Sequence, residues 1–187
     1  STDQYALIIH EGISTRWQHR AASALQIVNA IYHSVIPKPG NYIVFFPSYR
    51  YMETCAELFR RHYPAIPLHV QGAAMTPQER QAFLERFETF GEMQLHFCVL
   101  GGLFAEGIDF SGERLIGTII IGVGLPMINP ESDFVKEHFD AQGKPGYHFA
   151  YTFPRMNKVL QAMGRVIRTK KDSGIIVLID DRYLTPL

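Results

Sequence analysis

Gln161, Arg165 and Arg168 stand at i, i+4 and i+7. A helix through 161–168 therefore sets one amide and two guanidiniums on a single face. Each guanidinium presents a planar fork of donors matched to phosphate oxygens, so that face can grip a polyanion. Val159, Leu160, Met163, Val166 and Ile167 supply apolar cover for the remaining faces. Gly164 costs about 1 kcal/mol against Ala in a helix interior, which points to a close approach of backbone or ligand. A surface helix carrying two solvated arginines fits the same spacing.

A second segment adds to the first. The apolar run 95–100 reads as a buried strand and leads into Gly101, Gly102, Leu103, Phe104, Ala105, Glu106, Gly107, Ile108, Asp109 and Phe110. Glycines and carboxylates just past the carboxyl end of a strand occupy the place where open α/β sheets hold their ligand loops. Glycine permits close backbone approach, and the acids can accept from ribose hydroxyls or from arginines. Alone, the loop fits an ordinary turn. Followed some fifty residues later by Gln161, Gly164, Arg165 and Arg168, with strand signals between, it is a strong pattern.

The elements that position these residues alternate along the chain. Strands are predicted over 5–10, 41–46, 66–70, 95–100, 118–122 and 174–179. Helices are predicted over 16–35, 51–62, from Thr76-Pro77 to about 90, over 131–140 and through most of 151–168. Pro37 and Pro39 end the first helix, and Thr76 with Pro77 supplies a cap and a first-turn proline. Strands rich in Ile, Val and Phe between helices predict a mostly parallel sheet covered on both faces, an α/β fold in one domain spanning 1–187.

These segments resemble a known family. GxxxEGxDF at 102–110 followed by QxxGRxxR at 161–168 is similar to motifs V and VI of superfamily 2 helicases, in the XPD/DinG branch of iron–sulfur DNA helicases. Val44-Phe45-Phe46-Pro47-Ser48-Tyr49 resembles motif IV of that branch. Gly124-Leu125-Pro126 with Pro130 resembles its segment after the next strand, and Ile175 through Arg182 its closing strand. Arg20 and Ser23, after Ile13-Ser14-Thr15, suit the approach to such a lobe. The resemblance covers essentially the whole chain and implies a RecA-like fold, related to the P-loop NTPases.

No GxxxxGK[ST] phosphate loop and no acidic magnesium box is present, and Gly143-Lys144 lacks the required pattern. The family's cluster takes four cysteines, whereas this chain has two, Cys55 and Cys98, which read as buried or inert thiols. The resemblance thus implies a second motor lobe, a fragment of a larger protein whose first lobe binds most of ATP and Mg2+, with the iron–sulfur cluster also outside this chain. No metal site is expected here.

By the same resemblance, Arg165 and Arg168 act as arginine fingers and Gln161 contacts the γ-phosphate or the attacking water. Glu106, Gly107, Asp109 and Gly164 line the interlobe cleft, with Asp109 near the ribose or paired with an arginine. A purely structural salt bridge also fits Asp109. Single-stranded DNA runs past Ser48 and Tyr49, a hydroxyl for phosphate and a ring for a base, while backbone amides around Gly102 and Phe104 hold another phosphate. Ser48 capping the next helix and Tyr49 packing on it are the plainer alternatives. Tyr42, Tyr51, Phe59 and Tyr63 read as packing residues, His10, His69, His96 and His148 as structural, and Asp180 with Arg182 as a closing salt bridge.

Bulk properties set the outer bounds. The chain has 187 residues, 47% hydrophobic and 19% charged, values of a globular domain. Net charge is zero and the pI near 7.1, which counts against extensive nucleic-acid contact by this lobe alone. No apolar run reaches the length of a membrane span, no signal pattern opens the chain, and two cysteines give no disulfide framework. A cytoplasmic protein, or a nuclear one in a eukaryote, is expected. The leading expectation is the motor lobe of an ATP-dependent 5′→3′ DNA helicase. The alternatives are a catalytically silent RecA-like docking module and a lobe of a DEAH-type RNA helicase.

Overall fold

Asn41–Phe46, strand β2, is buried at all of its positions, and a strand buried on both faces needs neighbours on either side and cover above and below. The computed structural model supplies both. It describes residues 4–89, 91–99, 115–122, 137, 141 and 173–181. Six strands, β1 (Gln4–His10), β2, β3 (Leu68–Val70), β4 (Gln94–Val99), β5 (Gly117–Ile121) and β6 (Ser173–Ile179), form one sheet in the order β1-β6-β5-β2-β4-β3. All the pairings in this sheet are parallel.

Alternation along β4 sends its side chains to two different layers. Leu95 and Phe97 join a core with Ile27, Ile31, Met52 and Phe59, which come from helices α1 (Arg20–Val35) and α2 (Tyr49–His62). His96 points the other way and stacks on Phe87, just beyond helix α3 (Pro77–Glu85), with ring centroids 3.6 Å apart. Helices therefore cover both faces of the sheet, as the strand composition predicts. Among the described residues no helix is long and apolar enough to cross a membrane.

The boundaries differ from the sequence expectations for local reasons. Helix α2 begins at Tyr49 rather than at 51 because the hydroxyl of Ser48 accepts from the amide of Tyr51 and starts the first turn. Residues Trp17–His19 form a separate 3₁₀ turn ahead of α1. Strand β3 is shorter than 66–70 because the amide of Ile66 is used in a turn to Tyr63 and Pro67 has no amide to give. Helix α3 opens with a full capping box, Thr76 and Glu79 each bonding the other's backbone, and tightens to a 3₁₀ turn at Arg86–Glu88. The helix expected through 151–168 and nearly all of that expected over 131–140 lie outside the described residues.

Candidate nucleic-acid interface at the strand ends

Parallel strands deliver all of their carboxyl ends to one edge of the sheet. Register places Phe46 of β2 beside Val99 of β4, and Ile179 of β6 between Ile121 of β5 and His10 of β1. The chain leaves β2 toward β3 on one side and leaves β5 toward β6 on the other, so the connections diverge between β2 and β5. Ligands of open α/β sheets settle outside the strand ends at such a switch point. Gly122 sits there at φ +91°, and a Cβ on it would meet the Thr15 hydroxyl at 3.2 Å and Pro47 at 3.8 Å.

Ser48 lies two residues past the end of β2 in extended conformation and caps α2, its Oγ accepting from the Tyr51 amide at 3.2 Å. Capping occupies a lone pair and leaves the hydroxyl proton able to be donated to a ligand. Tyr49 is half-buried against the core. Its phenol oxygen lies 3.4 Å from Nε2 of Gln71, whose Oε1 accepts from the Val99 amide at 2.9 Å. Gln71 is 4% exposed, and its own amide donates to the Phe97 carbonyl. One buried glutamine thus ties the start of α2 to the last residue of β4, after which the glycine-rich segment begins. Both plainer alternatives, capping by Ser48 and packing by Tyr49, are realised.

A second set of bonds fastens the amino-terminal segment to the end of β6. The Thr15 hydroxyl donates to the carboxylate of the fully buried Asp180, and the Asp180 amide donates to the His10 carbonyl at 3.2 Å. Arg16 approaches Asp181 at 3.8 Å, an exposed pair of small energetic weight. Arg20 donates from Nε to the Thr15 carbonyl at 3.0 Å, and its guanidinium lies over the rings of Tyr51 and Trp17. Arg182, expected to pair with Asp180, lies outside the described residues.

The remaining expected residues divide cleanly. Tyr42, Tyr51 and Phe59 are buried and Tyr63 stacks on Tyr32 at 3.9 Å, so these rings are packing elements. Both cysteines are buried, and burial pushes the Cys55 thiol up to about 12 and the Cys98 thiol well above its usual range, as inert thiols require. Gln161, Gly164, Arg165, Arg168, Glu106, Gly107, Asp109, Gly102 and Phe104 lie outside the described residues. Gln71 and Trp17 carry structure at this edge and escaped the sequence reading. The only available signal for Trp17 was a lone tryptophan between two arginines, and for Gln71 there was none.

Comparison with known proteins places this geometry. The model of a family described as "Helicase C-terminal domain" matches residues 31–187. The "Probable ATP-dependent helicase MJ0942" of Methanocaldococcus jannaschii is 31% identical over 158 residues, which cover 77% of this chain and 24% of that protein. The "General transcription and DNA repair factor IIH helicase subunit XPD/RAD3" of Saccharomyces cerevisiae is 30% identical over 156 residues, covering 78% and 20% respectively. The chain spans a quarter or less of the length of these relatives. A solved structure named "XPD_Helicase" superposes with a TM-score of 0.67 at 18% identity, over 97% of this chain and 32% of the other. The parallel sheet is therefore RecA-like.

Proposed function

The chain belongs to the helicase C-terminal domain family, and from that membership we propose that it is the second motor lobe of an ATP-dependent DNA helicase moving 5′→3′ on a single strand. The observation that carries this reading is the family match over 31–187, which spans Ser48–Tyr49, the glycine-rich segment and the 161–168 segment together. The named activity of relatives such as "ATP-dependent DNA helicase CHL1" of Debaryomyces hansenii, 28% identical over 178 residues, favours DNA as the track.

In this reading ATP is held mainly by the first lobe of the same polypeptide. Phosphoryl transfer is catalysed chiefly by positioning and by neutralising charge. Arg165 and Arg168 reach the γ-phosphate when the lobes close, and Gln161 orients the phosphate or the attacking water. Glu106, Gly107, Asp109 and Gly164 line this lobe's side of the cleft. Hydrolysis removes the arginines' target, so closure follows nucleotide state. Ser48, Tyr49, Gly102 and Phe104 hold the single strand, Ser48 and Tyr49 from their place just past the end of β2. Among the described residues no group of His, Cys, Asp or Glu could hold a metal. By resemblance to two-lobe helicases, the reading assigns Mg2+ to the first lobe, and any iron–sulfur cluster to a part of the protein outside this chain.

The test compares ATP hydrolysis by the 187-residue chain with hydrolysis by the protein containing both lobes. DNA-stimulated phosphate release is expected from the second and none from the first. Sustained turnover by the chain alone would defeat the two-lobe reading.

A further inference from the structure

Strand β3 ends the sheet: among the described residues it pairs with β4 on one side and with no strand on the other. The Leu95 amide donates to the Pro67 carbonyl, and the Gln71 amide donates to the Phe97 carbonyl. Residues 67, 69 and 71 therefore turn their backbone toward β4. By alternation, Leu68 and Val70 each turn an amide and a carbonyl toward the free edge. Unpaired groups in such a row are a template for a further strand.

A cleft of about 670 Å3 opens beside that edge, and every residue of β3 lines it. Its walls come from opposite faces of the sheet, Arg60 from α2 on one side and Ala82, Phe83 and Arg86 from the α3 layer on the other. Leu68 and Val70 pack toward the core under α2, while the His69 ring turns to His96 on the α3 side. Arg60 stands in the last turn of α2, and Arg86 caps the carboxyl end of α3. Helix carboxyl ends favour a cation, yet both residues are exposed, and neither guanidinium has an ion pair or hydrogen bond among the described residues. The one carboxylate lining the cleft, Glu79, is held at the other end of α3, where it accepts from the Thr76 amide at 2.7 Å.

We propose that β3 receives an extended segment of a separate partner protein as an added strand, with one acidic side chain for each of the two arginines. Backbone pairing supplies the affinity in this mode, and side chains on alternate faces supply the choice of partner. Residues three apart in a strand point to opposite faces, as Arg60 and Arg86 do. The segment that fits therefore reads acid, apolar, apolar, acid. One carboxylate meets Arg60 and the other Arg86, while the apolar pair covers Leu68 and Val70 on one face and Ala82 and Phe83 on the other. A nucleic-acid strand fits less well. Its phosphate backbone offers acceptors alone, so it leaves the Leu68 and Val70 carbonyls without donors and meets the Glu79 carboxylate. The docking edge stands independently of the helicase reading.

The probe is a fluorescein-labelled peptide, Gly-Gly-Glu-Val-Val-Glu-Gly-Gly, titrated with the 187-residue chain while its anisotropy is followed. Anisotropy should rise, and the amide protons of Leu68 and Val70 should exchange more slowly with the peptide bound. Only alternate amides of an added strand face β3, so methylating the backbone nitrogen of one valine should weaken binding far more than methylating the other. Arg60→Ala and Arg86→Ala should each weaken binding about 2- to 5-fold, the range of an exposed ion pair. With Arg60→Glu and Arg86→Glu combined, the preference should reverse, Gly-Gly-Lys-Val-Val-Lys-Gly-Gly binding more tightly than the acidic peptide. An unfolded variant cannot produce that reversal. No rise in anisotropy with the parent chain overturns the proposal. So does equal binding of the two methylated forms, or unchanged exchange at both Leu68 and Val70. Displacement of the peptide by oligothymidylate, with oligothymidylate binding lost in the doubly reversed variant, would make the cleft a nucleic-acid site and also overturn it.

Discussion

His96 gives the chain an acid sensitivity that can be worked from its surroundings. The ring is fully buried, stacked on Phe87 and 5.2 Å from His69. Asn41 donates both amide hydrogens, to the carbonyls of Phe87 and Thr89, so its Oδ1 accepts from His96 Nε2 at 3.2 Å. That bond fixes the proton on Nε2 and leaves Nδ1 bare, buried and without a hydrogen-bond partner. A second proton would enter a site offering no acceptor. Burial first, then the nearby His69 and Arg86, lower the ring to about 3, against about 6.5 for an unperturbed histidine.

The unfolded chain therefore takes up a proton near pH 6.5 while the native one does not, and stability falls as pH drops through the interval between these values. It is unaffected above 6.5. Below that it declines by about 1.4 kcal/mol per pH unit, so that about 2 kcal/mol is lost at pH 5 relative to pH 7. Urea unfolding at pH 7, 6 and 5 should show this loss in the parent. In His96→Phe the contribution should vanish, although Asn41 loses its donor and the variant pays a pH-independent cost of about 1–3 kcal/mol. The difference in slope between the two proteins is the readout. Equal slopes would mean that the native ring accepts a proton and that the hydrogen-bond argument is wrong.

Other perturbations reach the functional edge. Ser48→Ala should lower stability by about 0.5–2 kcal/mol through loss of the α2 cap, and a melting temperature equal to that of the parent would show that the cap carries no weight. Gly122→Ala should cost about 1–3 kcal/mol, since φ +91° is strained for alanine and the new Cβ crowds Thr15 at 3.2 Å; thermal melting measures it, and an unchanged midpoint counts against this geometry at the switch point. In the protein with both lobes, Arg168→Ala should reduce ATP turnover by about 10³-fold or more while ATP binding persists. Retention of a tenth of the parent rate would remove Arg168 from the finger role.

What could be read without the structure was set by short-range chemistry. β2 has the bounds expected from its run of aromatic and β-branched residues, and every residue of 41–46 is buried. Thr76 and Pro77 announced α3 through the backbone groups they satisfy or lack. Helix α2 starts two residues before the expected 51 because the bond from the Tyr51 amide to Ser48, and not the apolar pattern further along, decides where the first turn begins. Contacts between residues far apart in sequence left no comparable trace. Thr15 and Asp180 are 165 positions apart and meet only because β1 and β6 pair in register, which no local pattern announces. Gln71 joins Tyr49 to Val99 for the same reason, its role arising from the order β2-β4-β3 rather than from its neighbours in the chain.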